Sequence, residues 1–129
     1  MKKLRNLLII YTFGSFVYSL VEIFSRGFTH WTMVIAGGIV FTLLFLLSEK
    51  MEQSYYTTQI ITFSILITLI ELILGLFLNL KLKMNVWDYS DKPFNLLGQI
   101  CLYNYVLWIM ISIPSAIICK KFRLIFKEL

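Results

Sequence analysis

The chain has 129 residues, 59% of them hydrophobic and 15% charged, with a mean hydropathy of +0.81. That balance is far from a soluble domain and leaves almost no polar chain for a separate soluble activity, so a single membrane domain over residues 1–129 is expected. The formal net charge of +5 sits at the ends of the apolar runs, which speaks for membrane orientation rather than a nucleic-acid surface.

The first apolar run, Leu7–Ser25, follows Lys2, Lys3 and Arg5. A run of about 20 residues is what a helix needs to cross the hydrocarbon core. The basic start resembles a signal peptide, but the run is long, contains Glu22 and lacks a small-x-small cleavage site, so it reads as a retained span. Tyr11, Ser15, Tyr18, Glu22 and Arg26 recur every three or four residues and share one helix face. Arg26 lies one turn beyond Glu22 and is its natural i,i+4 partner.

Arg26 to His30 is short enough only for a tight turn into the second run, Trp31–Leu47. Gly37 and Gly38 in that run permit close approach of another helix. His30 is the sole histidine and has no Cys, His or carboxylate at ligand spacing, so neither a metal site nor a catalytic role is expected of it. The next connection, Ser48–Tyr56, brings Glu49, Lys50 and Glu52, with Tyr55 and Tyr56 suited to the interface.

The third run, Thr57–Leu80, carries Ser64, Thr68, Glu71, Gly75 and Asn79 on one face. The loop from Lys81 to Asn95 is the sizeable one. Trp87 and Tyr89 suit the headgroup layer, while Asp88 can accept backbone N–H groups in a turn or pair with Arg26. Asn95 is placed to cap a fourth helix beginning at Leu96, which would fold the loop back as a lid. The fourth run, Leu96–Cys119, offers Cys101, Asn104, Trp108, Ser112 and Ser115 on one face, with Pro114 expected to kink it. Cys101 and Cys119, about 27 Å apart on one helix, cannot pair with each other.

Eight Lys/Arg lie on the side of the two ends: Lys2, Lys3, Arg5, Lys50, Lys120, Lys121, Arg123 and Lys127. Four lie on the other side: Arg26, Lys81, Lys83 and Lys92. The positive-inside rule then predicts both termini in the cytoplasm and an even number of crossings. Short connections make consecutive helices neighbours, so the expected fold is all-α: an up-down-up-down four-helix bundle.

On that topology the polar chemistry gathers at the outer end: Glu22, Arg26, Glu71, Asn79, Trp87, Asp88, Tyr89, Asn95 and Gln99, with Asn104 on the fourth span. A carboxylate inside a span costs several kcal/mol, of order 2–4, unless it has a partner or water, and so marks a candidate functional site. Two readings stay open. The cluster either binds a proton, ion or small polar solute, or forms a structural network that fixes helix register. There is no G-x-x-x-x-G-K-S/T and no G-x-S-x-G, so neither ATP binding, nor a cofactor, nor an enzymatic role is expected.

The stretch N-V-W-D-Y-S-D-K-P-F-N-L-L-G-Q-I-C, residues 85–101, resembles the W-D-Y-S…P-x-N…G-x-I-C signature of the ABC-transporter type IV permease-like proteins, the CmpB-like group of small bacterial membrane proteins. Glu71, Gly75 and Asn79 are similar to that family's E-x-x-x-G/S segment, and Arg26-Gly27-Phe28 to its R-G-F after the first span, with Glu22 one turn before. Where the family often has Pro-rich and Tyr-Gly residues after R-G-F, this chain has T-H-W-T-M-V. The resemblance implies a multi-pass protein of the bacterial cytoplasmic membrane, transport-associated, with a polar site at the outer end. The alternative is a non-transporting structural or regulatory subunit in which the same cluster locks the fold. Expected partners are the lipid bilayer and a homo-oligomer or larger membrane complex.

Overall fold

The computed structural model describes residues 1–128. In chain order it contains α1 (Lys2–Arg26), α2 (Trp31–Lys50), α3 (Tyr56–Gly75), a π-helical continuation (Leu76–Lys81), β1 (Asn95–Leu96), β2 (Ile100–Cys101) and α4 (Leu102–Glu128). Four helical stretches, Lys2–Arg26, Trp31–Lys50, Tyr56–Lys81 and Leu102–Glu128, are long and apolar enough to cross a membrane. Large apolar side chains such as Phe16, Ile61, Ile73 and Met110 stand exposed on them, as lipid-facing positions should. The chain is a multi-pass membrane protein. It divides into two compact units: residues 1–52 with the end of α4 from Cys119, and residues 53–118.

In the first unit α1 and α2 form an antiparallel pair. The turn between them is possible because Gly27 adopts φ 83° and donates its N–H to the Ile23 carbonyl at 2.8 Å, closing α1. His30 then caps α2: its Nδ1 accepts the Thr32 N–H at 3.2 Å and lies 2.6 Å from the Thr32 hydroxyl. A capping acceptor at Nδ1 accounts for this histidine without any ligand.

The two helices touch through glycines. A Cβ on Gly37 would lie 2.8 Å from the Tyr18 Cβ, one on Gly38 would collide with Ser15 and Tyr11, and one on Gly14 with Phe41. Tyr11, Ser15 and Tyr18 of the α1 stripe therefore pack on Gly37 and Gly38, and the helix those glycines admit is α1; Gly14 is the contributor the sequence reading passes over. The last turns of α4 close the unit with rings: Phe122 meets Phe13 edge-on at 5.1 Å, and Phe126 meets Phe45 at 5.8 Å. Lys127 reaches Glu52 at 2.8 Å.

Two expectations need correction. The fourth helix begins at Leu102, not Leu96, because Leu97 and Gly98 take φ values of 57° and 72°, which a right-handed helix cannot contain. Residues 95–101 instead form a short antiparallel hairpin, with Asn95 opposite Cys101 and Leu96 opposite Ile100. Asn95 thus caps no helix, and Cys101 lies in β2 rather than on the helix that carries Cys119; both cysteines are free and buried. At its other end α4 continues through Glu128, so Lys120, Lys121, Arg123 and Lys127 lie on the helix instead of following it.

Replacing Gly37 by Val should destabilise the first unit by about 1–3 kcal/mol through overpacking against Tyr18. Thermal unfolding in detergent checks this, with exposed Ile39→Val as the control expected near wild type. Lys127 holds the Glu52 carboxyl below its ordinary range, by its hydrogen bond first and its charge second. A depressed carboxyl contributes stability above its unfolded pKa of about 4.3 and loses it as pH falls through the folded value. Lys127→Met should therefore lower the melting temperature slightly at pH 7, and the difference from wild type should vanish in acid.

Candidate functional site

In the second unit a polar network is built where α3 ends and the long loop returns. The π-helical turns that extend α3, with the Leu82 N–H bonded to the Phe77 carbonyl at 3.0 Å, carry Asn79 to the loop. Asn79 acts in two directions. Its Oδ1 accepts the N–H of Val86 at 2.6 Å and of Trp87 at 3.4 Å, while its Nδ2 donates to Gln99 Oε1 at 2.8 Å. Trp87, buried, donates its indole N–H to the Gln99 carbonyl at 3.0 Å. Gln99 itself is buried because Gly75 leaves room for it: a Cβ there would stand 2.9 Å from the Gln99 Cβ. The loop is thus docked through one asparagine, one glutamine and one indole.

Within the loop, Asp88 and Asn95 serve the backbone. Asp88 Oδ1 accepts the Ser90 N–H at 2.9 Å, and hydrogen bonds from the Ser90 side chain and backbone hold its carboxyl below the usual range. Asn95 accepts from the Gly98 N–H at 3.0 Å and donates to the Lys92 carbonyl at 2.8 Å. The Tyr89 N–H bonds the Gly98 carbonyl at 2.7 Å, tying the loop to the hairpin turn. Both residues are exposed turn-builders.

The same bond positions Tyr89 over Glu71. The Tyr89 hydroxyl donates to Glu71 Oε2 at 3.2 Å and accepts from Asn104 Nδ2; the Trp108 indole donates to Glu71 Oε1 at 3.2 Å. Asn104 also hydrogen-bonds the carboxylate. One carboxylate, inside an apolar helix, is held by a phenol, an indole and an amide, all neutral. Among the described residues the ion pairs join Arg26 to Glu22 and Lys127 to Glu52, and neither involves Glu71. Hydrogen bonds to a carboxylate contribute about 1.5–3 kcal/mol each, and none of these donors carries a charge.

Glu22 and Arg26 belong to the first unit. Glu22 is buried and pairs with Arg26 Nε at 3.5 Å across one helical turn, with Arg26 also lying over the Phe28 ring at 4.5 Å. Here the charge is answered on the same helix, as the spacing predicts. The structure therefore joins Glu71, Tyr89 and Asn104 in one network, places Asn79, Trp87 and Gln99 in the loop clamp beside it, and gives Asp88 and Asn95 to turns. Trp108 is the member the sequence reading left out of its site. Its signal was its place one turn beyond Asn104 on the same face of α4.

The family model described as "Putative ABC-transporter type IV" matches residues 6–127, nearly the whole chain. No curated protein and no solved structure matches it.

Removing the clamp should loosen the loop rather than the helices. Asn79→Ala removes the acceptor shared by the Val86 and Trp87 N–H groups and the donor to Gln99 Oε1, a loss of about 1–3 kcal/mol. The expected outcome is faster hydrogen exchange at Val86 and Trp87 and earlier proteolysis between residues 82 and 95, with unchanged helix content by circular dichroism.

Proposed function

The chain belongs to the ABC-transporter type IV family, and on that premise we propose that it is a transport-associated component of the bacterial cytoplasmic membrane whose charge-bearing centre is Glu71. The observation that carries the reading is the carboxylate held by neutral donors alone, inside a helix otherwise apolar. Such a group attracts a proton, a cation or a cationic solute, and the Trp108 and Tyr89 rings add faces on which a cation is favoured. Glu22 and Arg26 balance one another and serve as a fixed ion pair rather than as the binding charge.

The chain supplies the site and not the energy source. No phosphate-binding loop occurs in the sequence, so any ATP hydrolysis belongs to another subunit. An up-down-up-down course with both termini on the cytoplasmic side follows from the eight-to-four distribution of Lys and Arg. Four spans are few for a complete transporter, so the proposal includes a homo-oligomer or a larger membrane complex, and a non-enzymatic role for this chain.

A second reading is favoured by the loop clamp: the network locks the loop to α3 and α4, and the protein is a structural or regulatory subunit. One mutant separates the two. If Glu71 is a binding group, Glu71→Gln preserves the melting temperature to within a few degrees but abolishes the response of that temperature to sodium, ammonium and tetramethylammonium salts. If Glu71 is only a latch, Glu71→Gln lowers the melting temperature strongly, and wild type shows no cation response.

A further inference from the structure

At the far end of the first unit from the α1–α2 turn lies a second charged side chain that makes no ion pair among the described residues. Arg123, on the last turns of α4, is only 7% exposed, and its Nη1 is buried without a hydrogen-bond partner among the described residues. Neither of the ion pairs among the described residues involves it. Arg123 acts on the Glu52 carboxylate only through its charge and more weakly than Lys127, which hydrogen-bonds that group at 2.8 Å. Lys50 ends α2, Lys120 and Lys121 precede Arg123 on α4, and the basic first turns of α1 lie at this same end of the antiparallel pair. Positive charge therefore outweighs the acids available here, and the most buried cation is the one left unpaired.

A desolvated guanidinium without an anion is strongly unfavourable, whereas with a partner it is sustained. A water molecule satisfies an N–H but does not cancel the charge. The guanidinium's planar fork matches a phosphate oxyanion in a way an ammonium does not. The residue also sits near the end of a membrane-crossing helix, the depth at which lipid phosphates lie. We infer that Arg123 is the core of a phosphate-binding site at the basic end of the first unit, with Lys120, Lys121 and Lys127 around it. The oxyanion comes from the headgroup of an anionic phospholipid or from free phosphate.

The test uses the full chain in a neutral detergent, wild type and Arg123→Met, with phosphatidylglycerol, phosphatidylcholine or inorganic phosphate added before thermal unfolding. The expected result is a higher melting temperature with phosphatidylglycerol and not with phosphatidylcholine, and loss of that increment in Arg123→Met. Without lipid, the variant should unfold no earlier than wild type, because the unpaired charge is gone. A rise with inorganic phosphate equal to that with the lipid supports the site and assigns it to free phosphate. An equal phosphatidylglycerol increment in Arg123→Met overturns the inference. Should the variant fail to fold, native mass spectrometry of wild type decides: retention of phosphatidylglycerol over phosphatidylcholine upholds the site, and equal retention of the two rejects it.

Discussion

A polar group carried into an apolar helix has to be answered from within the protein, because hydrocarbon offers it no hydrogen bond. This chain gives three different answers. Glu22 meets a cation one turn away on its own helix. Glu71 meets only neutral donors, brought to it from the loop and from α4. Arg123 has a buried Nη1 with no hydrogen-bond partner among the described residues. The first is an ion pair within one helix, although Glu22 Oε2 has no hydrogen bond among the described residues; the second and third make no ion pair there, and they are the groups on which the two proposals rest.

The loop shows how much structure serves the second answer. Lys83, Asn85, Phe94 and Leu97 all take φ between 54° and 57°, a left-handed conformation that disfavours any residue with a side chain. Local preference does not choose such a path. It persists because Asn79, Gln99, Trp87 and the Tyr89–Gly98 backbone bond specify it from several sides. The consequence is that Tyr89, a loop residue, arrives at Glu71 with a fixed hydroxyl. Tyr89 thereby joins the Glu71 carboxylate to the hairpin, by its hydroxyl at one end and its backbone N–H at the other.

Local features were legible in the sequence. Apolar runs at helical length announced four spans, with the fourth set too early in the chain; the glycine pair in α2 marked a close helix contact, which is with α1, and the four-residue spacing paired Glu22 with Arg26. Of the two roles open to Asp88 in W-D-Y-S, a turn acceptor or a partner of Arg26, the Ser90 N–H bond realises the first. What was not legible depended on distant or competing effects. The hairpin at residues 95–101 lies hidden in an apolar stretch that continues into α4, and only the Asn95–Gly98 pairing hinted at a turn. The basic residues after Cys119 read as a flank, yet Phe122 and Phe126 interleave with them at helical spacing and draw the helix onward. Trp108 finds Glu71 from 37 residues away, a pairing no spacing rule announces.

The most direct measurement on the central claim is difference infrared spectroscopy of the Glu71 carboxylate as the bound cation is exchanged or the pH lowered, with Glu71→Gln as the reference. The account predicts a carboxylate band that shifts on exchange, or converts to the protonated carbonyl on acidification, in wild type and is missing from the variant. A Glu71 band that stays unchanged across cations and pH, with the loop still docked, would contradict it and leave the carboxylate as a fixed structural latch.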